Sequence, residues 1–465
     1  MSSVVFPKHL FEDMTSFLFG NAPNENGCFL LARSYKKMGD RNVLVISEIV
    51  KPDSNSWNRG GEHWLEPSSS FTNHAVVMAD TTDSSVLFVH THPSMFHPPR
   101  FSSIDEQSNK RLFRNMSEIL PHRPLGSLVF SQKGAYGVIF DGKKIRKVST
   151  VRVVGRTISE ASATHRGGID ESFDRQVRIV GRDAQTRLQE MTVTIVGVGG
   201  TGSSVAVQLA RMGVGKLVLV DKDAMDATNL PRVYGSNKKD IGKPKVEVLK
   251  RHVMGFSKTK AEAVHADITK DSVASVLKES DVIFGCTDNL TSRAVLNDIS
   301  VQYYIPLIDV GCRVQSKDDG SIDQAICKVQ VVTPDDACLW CTGTLDGKII
   351  LQESLPQEEK RKLSEEGYYQ DIGKQPSVIS LTTMAASIAV NKFLSLLGVF
   401  GNDYSSRTQI ELQNGFMLDD TPPIKENCVC GKRRGIGDKR QIMDENSVPT
   451  SQDSARVVLD SSSAP

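Results

Sequence analysis

The sequence predicts an α/β protein: an N-terminal α+β block, then a second domain built on a mainly parallel sheet. Three observations lead there. The chain has 465 residues, which at roughly 150 per domain gives two to three domains, each large enough for its own core. Short apolar runs separated by turn-rich segments fill the first part. From about residue 173 the pattern becomes strand, helix, strand, which implies parallel pairing.

The elements follow in order. Residues 1–154 form the first block, with apolar runs at 43–46 and 86–89. The segment GSLVFSQKGAYGVIFDGKKI (126–145) predicts two strands joined by a Lys133-Gly134 turn, then an Asp141-Gly142 turn. Residues 155–172 have little apolar periodicity and are expected to form a linker. In the second domain, 173–431, TVTIVGVGG (192–200) is a buried strand ending in glycines. SSVAVQLARMGV (203–214) is a helix and KLVLVD (216–221) a second strand. Runs at 281–284 and 306–309 extend the sheet. The charged stretch 352–370 predicts an exposed helix or mobile crossover, and the polar, Ser-rich tail 432–465 is expected to be disordered.

Composition excludes several classes. A hydrophobic fraction of 39% is too high for a mostly disordered chain. A net charge of +1 argues against bulk nucleic-acid binding. The most apolar stretch, MAASIAVNKFLSLLGVF (384–400), is broken by Asn391 and Lys392 and reads as a buried or amphipathic helix. The N-terminus lacks a basic-then-apolar signal pattern. A cytoplasmic protein with no membrane and no nucleic-acid partner is therefore expected. Structural disulfides are rare there, so eight cysteines suggest metal binding or catalysis.

The segment VLFVHTHPSMFHPPRFSSID (86–105) carries the first constellation. His90 and His92 are two apart at the end of an apolar strand, so both imidazoles share a face. Two such groups can hold a divalent metal, zinc above all, and Asp105 is the natural third ligand. Three protein ligands leave one position open, the arrangement of a catalytic zinc site. Glu25, at the head of an apolar strand, is placed to act as base, with Glu48 as the fallback; His97 reads as a loop residue. His-Thr-His-Pro, Ser-x-x-Asp and an upstream Glu resemble the JAB/JAMM metalloproteases, on an MPN-like α+β fold. The resemblance implies zinc on His90, His92 and Asp105, Glu25 as general acid/base, and Ser102 helping to hold the oxyanion. It implies cleavage after the C-terminal glycine of a ubiquitin-like protein. The nine residues between His92 and Ser102 exceed the family's usual spacing, and Ser102 also reads as a helix N-cap.

The second constellation is a glycine loop, Gly197-Val-Gly199-Gly200-Thr-Gly202, between a strand and a helix. Its glycines permit a tight turn and close approach of backbone N–H groups to phosphate. Alone it fits NAD, FAD or ATP enzymes. Asp221 ends the next strand, where a carboxylate can bind ribose hydroxyls. Around it stand Asp223, Asn229, Arg232, Lys245, Asp288 and Asn289. Amide and cationic groups around phosphates, with an acid for magnesium, suit adenylyl transfer rather than hydride transfer. Together these residues, over roughly 173–431, resemble the ThiF/MoeB/HesA family, with its Rossmann-like adenylation domain. The resemblance implies ATP with Mg2+. Gly200 then contacts phosphate and Asp221 binds ribose. Asn229, Arg232 and Lys245 hold the phosphates, and Asp288 binds magnesium beside Asn289. FDRQVRIVG (173–181) precedes the first strand as in the family, so Arg175 would reach a partner's active site in a homodimer. Val233 stands where the family usually has Gln.

Cys338-Leu-Trp-Cys341 and Cys428-Val-Cys430 can form a four-sulfur structural zinc site, as the ThiF/MoeB resemblance also implies, although the second pair is CxC rather than CxxC. Residues 342–427 contain no cysteine, so no thioester-forming thiol lies in the crossover segment. Cys312 and Cys327 are the leftover candidates, each read as a core thiol, like Cys28 and Cys286.

The resulting expectation is a bifunctional enzyme. It would trim a ubiquitin-like protein, or reverse its conjugation, and then adenylate the exposed glycine for transfer, with a conjugating enzyme downstream. Such fusions resemble those in bacterial ubiquitin-like operons, some tied to antiphage defence. The alternative is activation of a sulfur-carrier protein for cysteine, thiamin or molybdopterin biosynthesis, with a sulfurtransferase as partner. A non-catalytic sensor or scaffold and a dehydrogenase are the remaining readings.

Overall fold

The computed structural model describes residues 2–37, 41–61, 65–93, 97–161, 168–317, 319, 321–365, 376–401 and 403–439. They divide into two units: Met1–His165 with Gln302–Tyr304 and Arg433–Arg440, and Arg166–Val301 with Ile305–Lys432.

The first unit is a closed barrel of strands with helices attached. Its strands are β1 (Ser2–Pro7), β2 (Gly27–Lys37), β3 (Arg41–Val50), the short β4 (Trp57–Gly60) and β5 (Leu65–Pro67), β6 (Ser85–Thr91), β7 (Leu125–Ser131), β8 (Gly134–Phe140), β9 (Ile145–Val154) and β10 (Ile158–Glu160). The order is β1-β3-β2-β6-β7-β8-β9-β10, and β9 pairs back onto β1 to close the ring. β4 and β5 form a separate ribbon.

Successive side chains on a strand point to opposite faces, and both faces are apolar here. Cys28, Leu30 and Ala32 join Val4, Leu44, Leu87 and Leu128 in one core, which the helix Lys8–Phe19 completes with Met14 and Leu18. Phe29 and Leu31 join the other, covered by the helices Ser69–Thr82 and Ser103–Ile119 through Phe71, Ala75, Phe113 and Met116. Burying each such side chain contributes roughly 1.5–3 kcal/mol over leaving it exposed. Double coverage explains why β2 and β6 read as continuous apolar runs.

This packing places chemistry at one end of β6. Gly27 of β2 pairs with His90 of β6, which brings Glu25 to the same end. A Cβ on Gly27 would lie 2.7 Å from the Val89 carbonyl oxygen, so only glycine allows the approach.

Two boundaries differ from the sequence expectation. The span 155–172 holds the strand β10, paired antiparallel to β9, and a 3-10 turn, Glu171–Phe173. Short polar strands lack the periodicity that would reveal them. The tail also begins in ordered structure. A 3-10 turn, Gly437–Lys439, packs on β2, where the Lys36 N–H donates to Asp438 Oδ2 at 3.2 Å. A Cβ on Gly437, whose φ is +58°, would lie 2.6 Å from the Ser34 carbonyl oxygen. Residues 440–465 lie outside the described residues.

The second unit has strands β11 (Thr192–Val196), β12 (Lys216–Val220), β13 (Lys260–Val264), β14 (Val282–Gly285), β15 (Leu307–Ser316), β16 (Ile322–Val332), β17 (Arg407–Glu411) and β18 (Phe416–Asp420). The order is β13-β12-β11-β14-β15-β16-β17-β18, parallel through β15 and antiparallel beyond. The order reverses between β11 and β14, and ligands in such sheets bind at the carboxyl ends of these strands. The helix Gly200–Arg211 follows β11 directly.

The apolar segment at 384–400 falls largely in the helix Ile379–Leu396, which packs on the helix Gly200–Arg211, β15 and β16. It is long and apolar enough to cross a membrane, yet it is a core helix here. Lys392 is 8% exposed and bonds the Ser405 carbonyl and Asp419 Oδ1, the latter at 2.9 Å. The charged stretch at 352–370 contains the end of the helix Gly347–Ser354 and the helix Gln357–Glu365; 366–375 lie outside the described residues.

Candidate functional site

In the first unit, the end of β6 collects four groups. His90 Nε2 is 3.4 Å from Asp105 Oδ1, and His92 Nε2 is 3.4 Å from Asp105 Oδ2. His92 Nε2 is 3.6 Å from Glu25 Oε1. One ligand atom from each of His90, His92 and Asp105 lies within 4.8 Å of the other two, close enough for the three to share one metal ion such as zinc. Both ring nitrogens of His90 and Nδ1 of His92 are buried without a hydrogen-bond partner among the described residues. Buried polar atoms rarely stay unpaired, and a metal ion satisfies such a nitrogen.

The electrostatics agree with a ligand set. Burial lowers the His90 pKa and keeps that ring neutral. Burial also opposes charge on His92, but Asp105 and Glu25 outweigh it and raise its pKa. Asp105 is desolvated, yet the two histidines and Ser102 hold it well below the usual carboxylate range. Burial pushes Glu25 up to about 7, with His92 opposing.

Ser102 is the N-cap of the helix Ser103–Ile119 in a capping box with Asp105. Its hydroxyl donates to Asp105 Oδ2 at 2.7 Å and accepts from the Asp105 N–H at 3.1 Å. It thus orients Asp105 through the ordinary physics of a helix start, the N-cap role that the sequence also suggests for it. Glu48 is exposed on β3, and Glu25 holds the position beside His92.

In the second unit, the glycine loop shows why glycine is required. A Cβ on Gly202 would lie 1.9 Å from the Gly197 carbonyl oxygen. Gly197 has φ +85°, and a Cβ there would lie 2.5 Å from the Cys286 carbonyl oxygen. Asp221 follows β12 and braces the loop: Oδ2 accepts from the Val198 N–H at 2.7 Å and Oδ1 from the Asp223 N–H at 2.8 Å. Burial raises its pKa, opposed by Lys245. Lys245 Nζ bonds Asp223 Oδ2 at 2.7 Å. Arg232 donates to the Thr228 carbonyl at 2.8 Å, and its Cδ lies 3.3 Å from where a Cβ on Gly200 would be.

Two residues expected to bind nucleotide have structural work. Asn229 is 4% exposed, and its Oδ1 accepts from the Asp226 N–H at 3.2 Å in a capping box. Asn289 Oδ1 accepts from the Ser292 N–H at 2.8 Å, at the start of the helix Leu290–Tyr303. Asp288 is exposed, touched by Asn289 Nδ2 at 3.5 Å, and so is open to a cation. Arg175 is exposed on the helix Asp174–Val180. Sequence reading missed Arg293. It donates to Asp309 Oδ2 at 2.7 Å and to the Thr287 carbonyl at 3.0 Å, pinning the loop that carries Asp288. A cation four residues past Asn289 was the available signal.

The four cysteines converge. Sγ separations are 3.7 Å for Cys338–Cys341, Cys338–Cys428 and Cys341–Cys430. Zinc–sulfur bonds of about 2.3 Å in a tetrahedron give edges of about 3.8 Å. The CxC spacing therefore does not prevent a four-sulfur site.

The sequence profile described as the ThiF family matches residues 173–431, more than half of the chain. The chain belongs to the ThiF family. A SAMP-activating enzyme E1 from Haloferax volcanii is 34% identical over 163 residues, 35% of this chain and 57% of that protein. The sulfur carrier protein ThiS adenylyltransferase from Escherichia coli is 32% identical over 139 residues, 29% of this chain and 55% of that protein. The ThiF-family chain thus spans a little over half the length of these relatives. Among solved structures, E. coli MccB with MccA-N7isoASN aligns with 56% of this chain and 75% of its own, at 20% identity and TM-score 0.46.

Proposed function

We propose that this ThiF-family chain adenylates the C-terminal glycine of a small carrier protein of the ubiquitin-like or sulfur-carrier type. The observation that carries the reading is the glycine loop at the carboxyl end of β11, with Asp221, Arg232 and Lys245 grouped around it in a chain of this family. ATP lies with its phosphates against the N–H groups of residues 199–202 and its ribose on Asp221. The glycine carboxylate attacks the α-phosphorus, the bond to pyrophosphate breaks, and Arg232 and Lys245 stabilise the charge that builds up. Lys245 leaves Asp223 to do so. A magnesium ion, for which Asp288 offers an open carboxylate, supplies further neutralisation of the phosphates.

Between the two fates of the adenylate, sulfur transfer is the better supported. One relative is named for the sulfur carrier protein ThiS, and residues 342–427 contain no cysteine to take the acyl group. Conjugation through a separate enzyme is the second fate, and its support is the relative named SAMP-activating enzyme E1. A homodimer completed by Arg175 belongs to the same proposal.

A second activity is proposed for the first unit, on the convergence of His90, His92 and Asp105. A zinc ion held there would supply Lewis acidity for hydrolysis next to a carrier's terminal glycine. Ser102 keeps Asp105 in place, and Glu25, 9% exposed, is positioned to take and deliver a proton at Oε1.

The test is ATP–pyrophosphate exchange with purified carriers ending in glycine, with or without residues beyond it. Exchange that disappears in Asp288→Ala supports adenylation. Loss of the trailing residues that disappears in His92→Ala supports the hydrolase. A chain that binds ATP yet shows no exchange with any glycine-ended carrier rules out the adenylation reading.

A further inference from the structure

Cys312 on β15 and Cys327 on β16 face each other directly across the antiparallel pair. Their Sγ atoms are 3.5 Å apart. Facing residues in such a pair have Cα atoms about 4.5–5.5 Å apart, within the range a disulfide spans. Both thiols also reach one acceptor, the Leu381 carbonyl oxygen, at 3.8 and 3.5 Å.

That acceptor sits beside the nucleotide loop. Leu381 is in the first turn of the helix Ile379–Leu396. The next residue, Thr382, has Oγ1 3.1 Å from where a Cβ on Gly200 would be. Thr201, inside the loop, is near enough to favour the Cys312 thiolate. The pair is asymmetric. Cys312 is half-buried while Cys327 is 1% exposed. The contact with Cys327 holds the Cys312 thiol below the ordinary value, and the same contact with burial pushes Cys327 up. Cys312 is thus the thiolate former, and Cys327 the resolving thiol within reach.

We propose that Cys312 and Cys327 are a peroxide-sensitive dithiol whose closure loosens the adjoining glycine loop. The Cys312 thiolate attacks a hydrogen peroxide oxygen, the O–O bond breaks, and hydroxide leaves as water after taking a proton. The sulfur of Cys327 then bonds to that of Cys312, the S–O bond breaks, and the oxygen leaves with the Cys327 proton as a second water. Two thiols are oxidised and one peroxide is reduced. Closing the sulfurs to about 2.05 Å removes both S–H groups, and with them the donors that reach the Leu381 carbonyl.

The effect on ATP rests on the adenylation reading; the disulfide does not. The full chain is treated with graded hydrogen peroxide, quenched by alkylation and digested with trypsin. Arg313 and Lys317 lie between the cysteines, so peptides 294–313 and 318–328 become linked only by this bond. The linked pair loses about 2 Da and is separated by dithiothreitol. In Cys327→Ser the link is absent, and a dimedone adduct appears on Cys312. ATP affinity of the oxidised chain falls roughly fivefold, the effect of one lost neutral hydrogen bond, and dithiothreitol restores it. Failure of these peptides to link while other thiols oxidise overturns the dithiol. Linked peptides with unchanged ATP affinity overturn the coupling to the loop. A reduced chain that binds no ATP defeats the adenylation reading alone, because the linkage is read by mass.

Discussion

The cysteine cluster allows a prediction with a magnitude. Three Sγ–Sγ edges measure 3.7 Å against about 3.8 Å for a zinc–thiolate tetrahedron, so the four sulfurs match the dimensions of a zinc site. It ties the segment after β16 to the segment after β18. With free zinc at 100 times the dissociation constant, binding stabilises the folded state by about 2.7 kcal/mol. For a domain of this size each kcal/mol moves Tm by roughly 2–4 °C, so a strong chelator should lower Tm by about 5–11 °C. Cys430→Ala should lower it at least as far and make it insensitive to the chelator. The assay is calorimetry beside zinc analysis of chain purified without chelator. If His90, His92 and Asp105 also hold zinc, the content is two ions per chain, and Cys430→Ala and His92→Ala each remove one. Chain that carries no zinc, and whose Tm ignores both chelator and added zinc, would refute the reasoning.

Other outcomes follow from single contacts. Gly202→Ala places a Cβ 1.9 Å from the Gly197 carbonyl oxygen, so it should cost roughly 1–3 kcal/mol or more and abolish ATP binding, as denaturation and calorimetric titration would show. Arg293→Met leaves the Asp309 carboxylate, 1% exposed, without its partner; urea unfolding should show a loss of roughly 3–5 kcal/mol, and equal stability would mean the pair contributes nothing. Asp419 has its pKa raised by burial, but the Thr408 hydroxyl and Lys392 ammonium outweigh this and hold it below the ordinary value. Its contribution is therefore present above the unfolded value of about 3.9 and lost as pH falls through the folded value. Asp419→Ala should lower Tm at pH 7, and the difference from wild type should shrink below pH 4; a constant difference would show that charge is not involved.

How much of this was legible depended on whether the signal was local. β11, the helix after it and β12 could be read because a buried parallel strand, a glycine loop and an amphipathic helix each imprint their own periodicity. His90, His92 and Asp105 could be read because strand spacing and a helix start are local facts. β10 could not, because three residues on an edge carry no pattern. The hydrogen bonds that Ser102, Asn229 and Asn289 make to their own turns were not legible for a related reason: a polar side chain in a turn looks the same whether it serves the backbone or a ligand.

By itself the sequence determined the element types, the family and the kinds of atom available for chemistry, since these depend on residue identity and short-range spacing. Tertiary structure alone decided which distant residues meet. It put Glu25 3.6 Å from His92, although 67 positions separate them, because β2 pairs with β6. It brought a CxC pair to within zinc-binding distance of a CxxC pair 90 residues away. It set Cys312 against Cys327 rather than leaving two unrelated core thiols. Strand register carries that information, and register follows from how whole faces pack against one another, a property no single stretch of sequence contains.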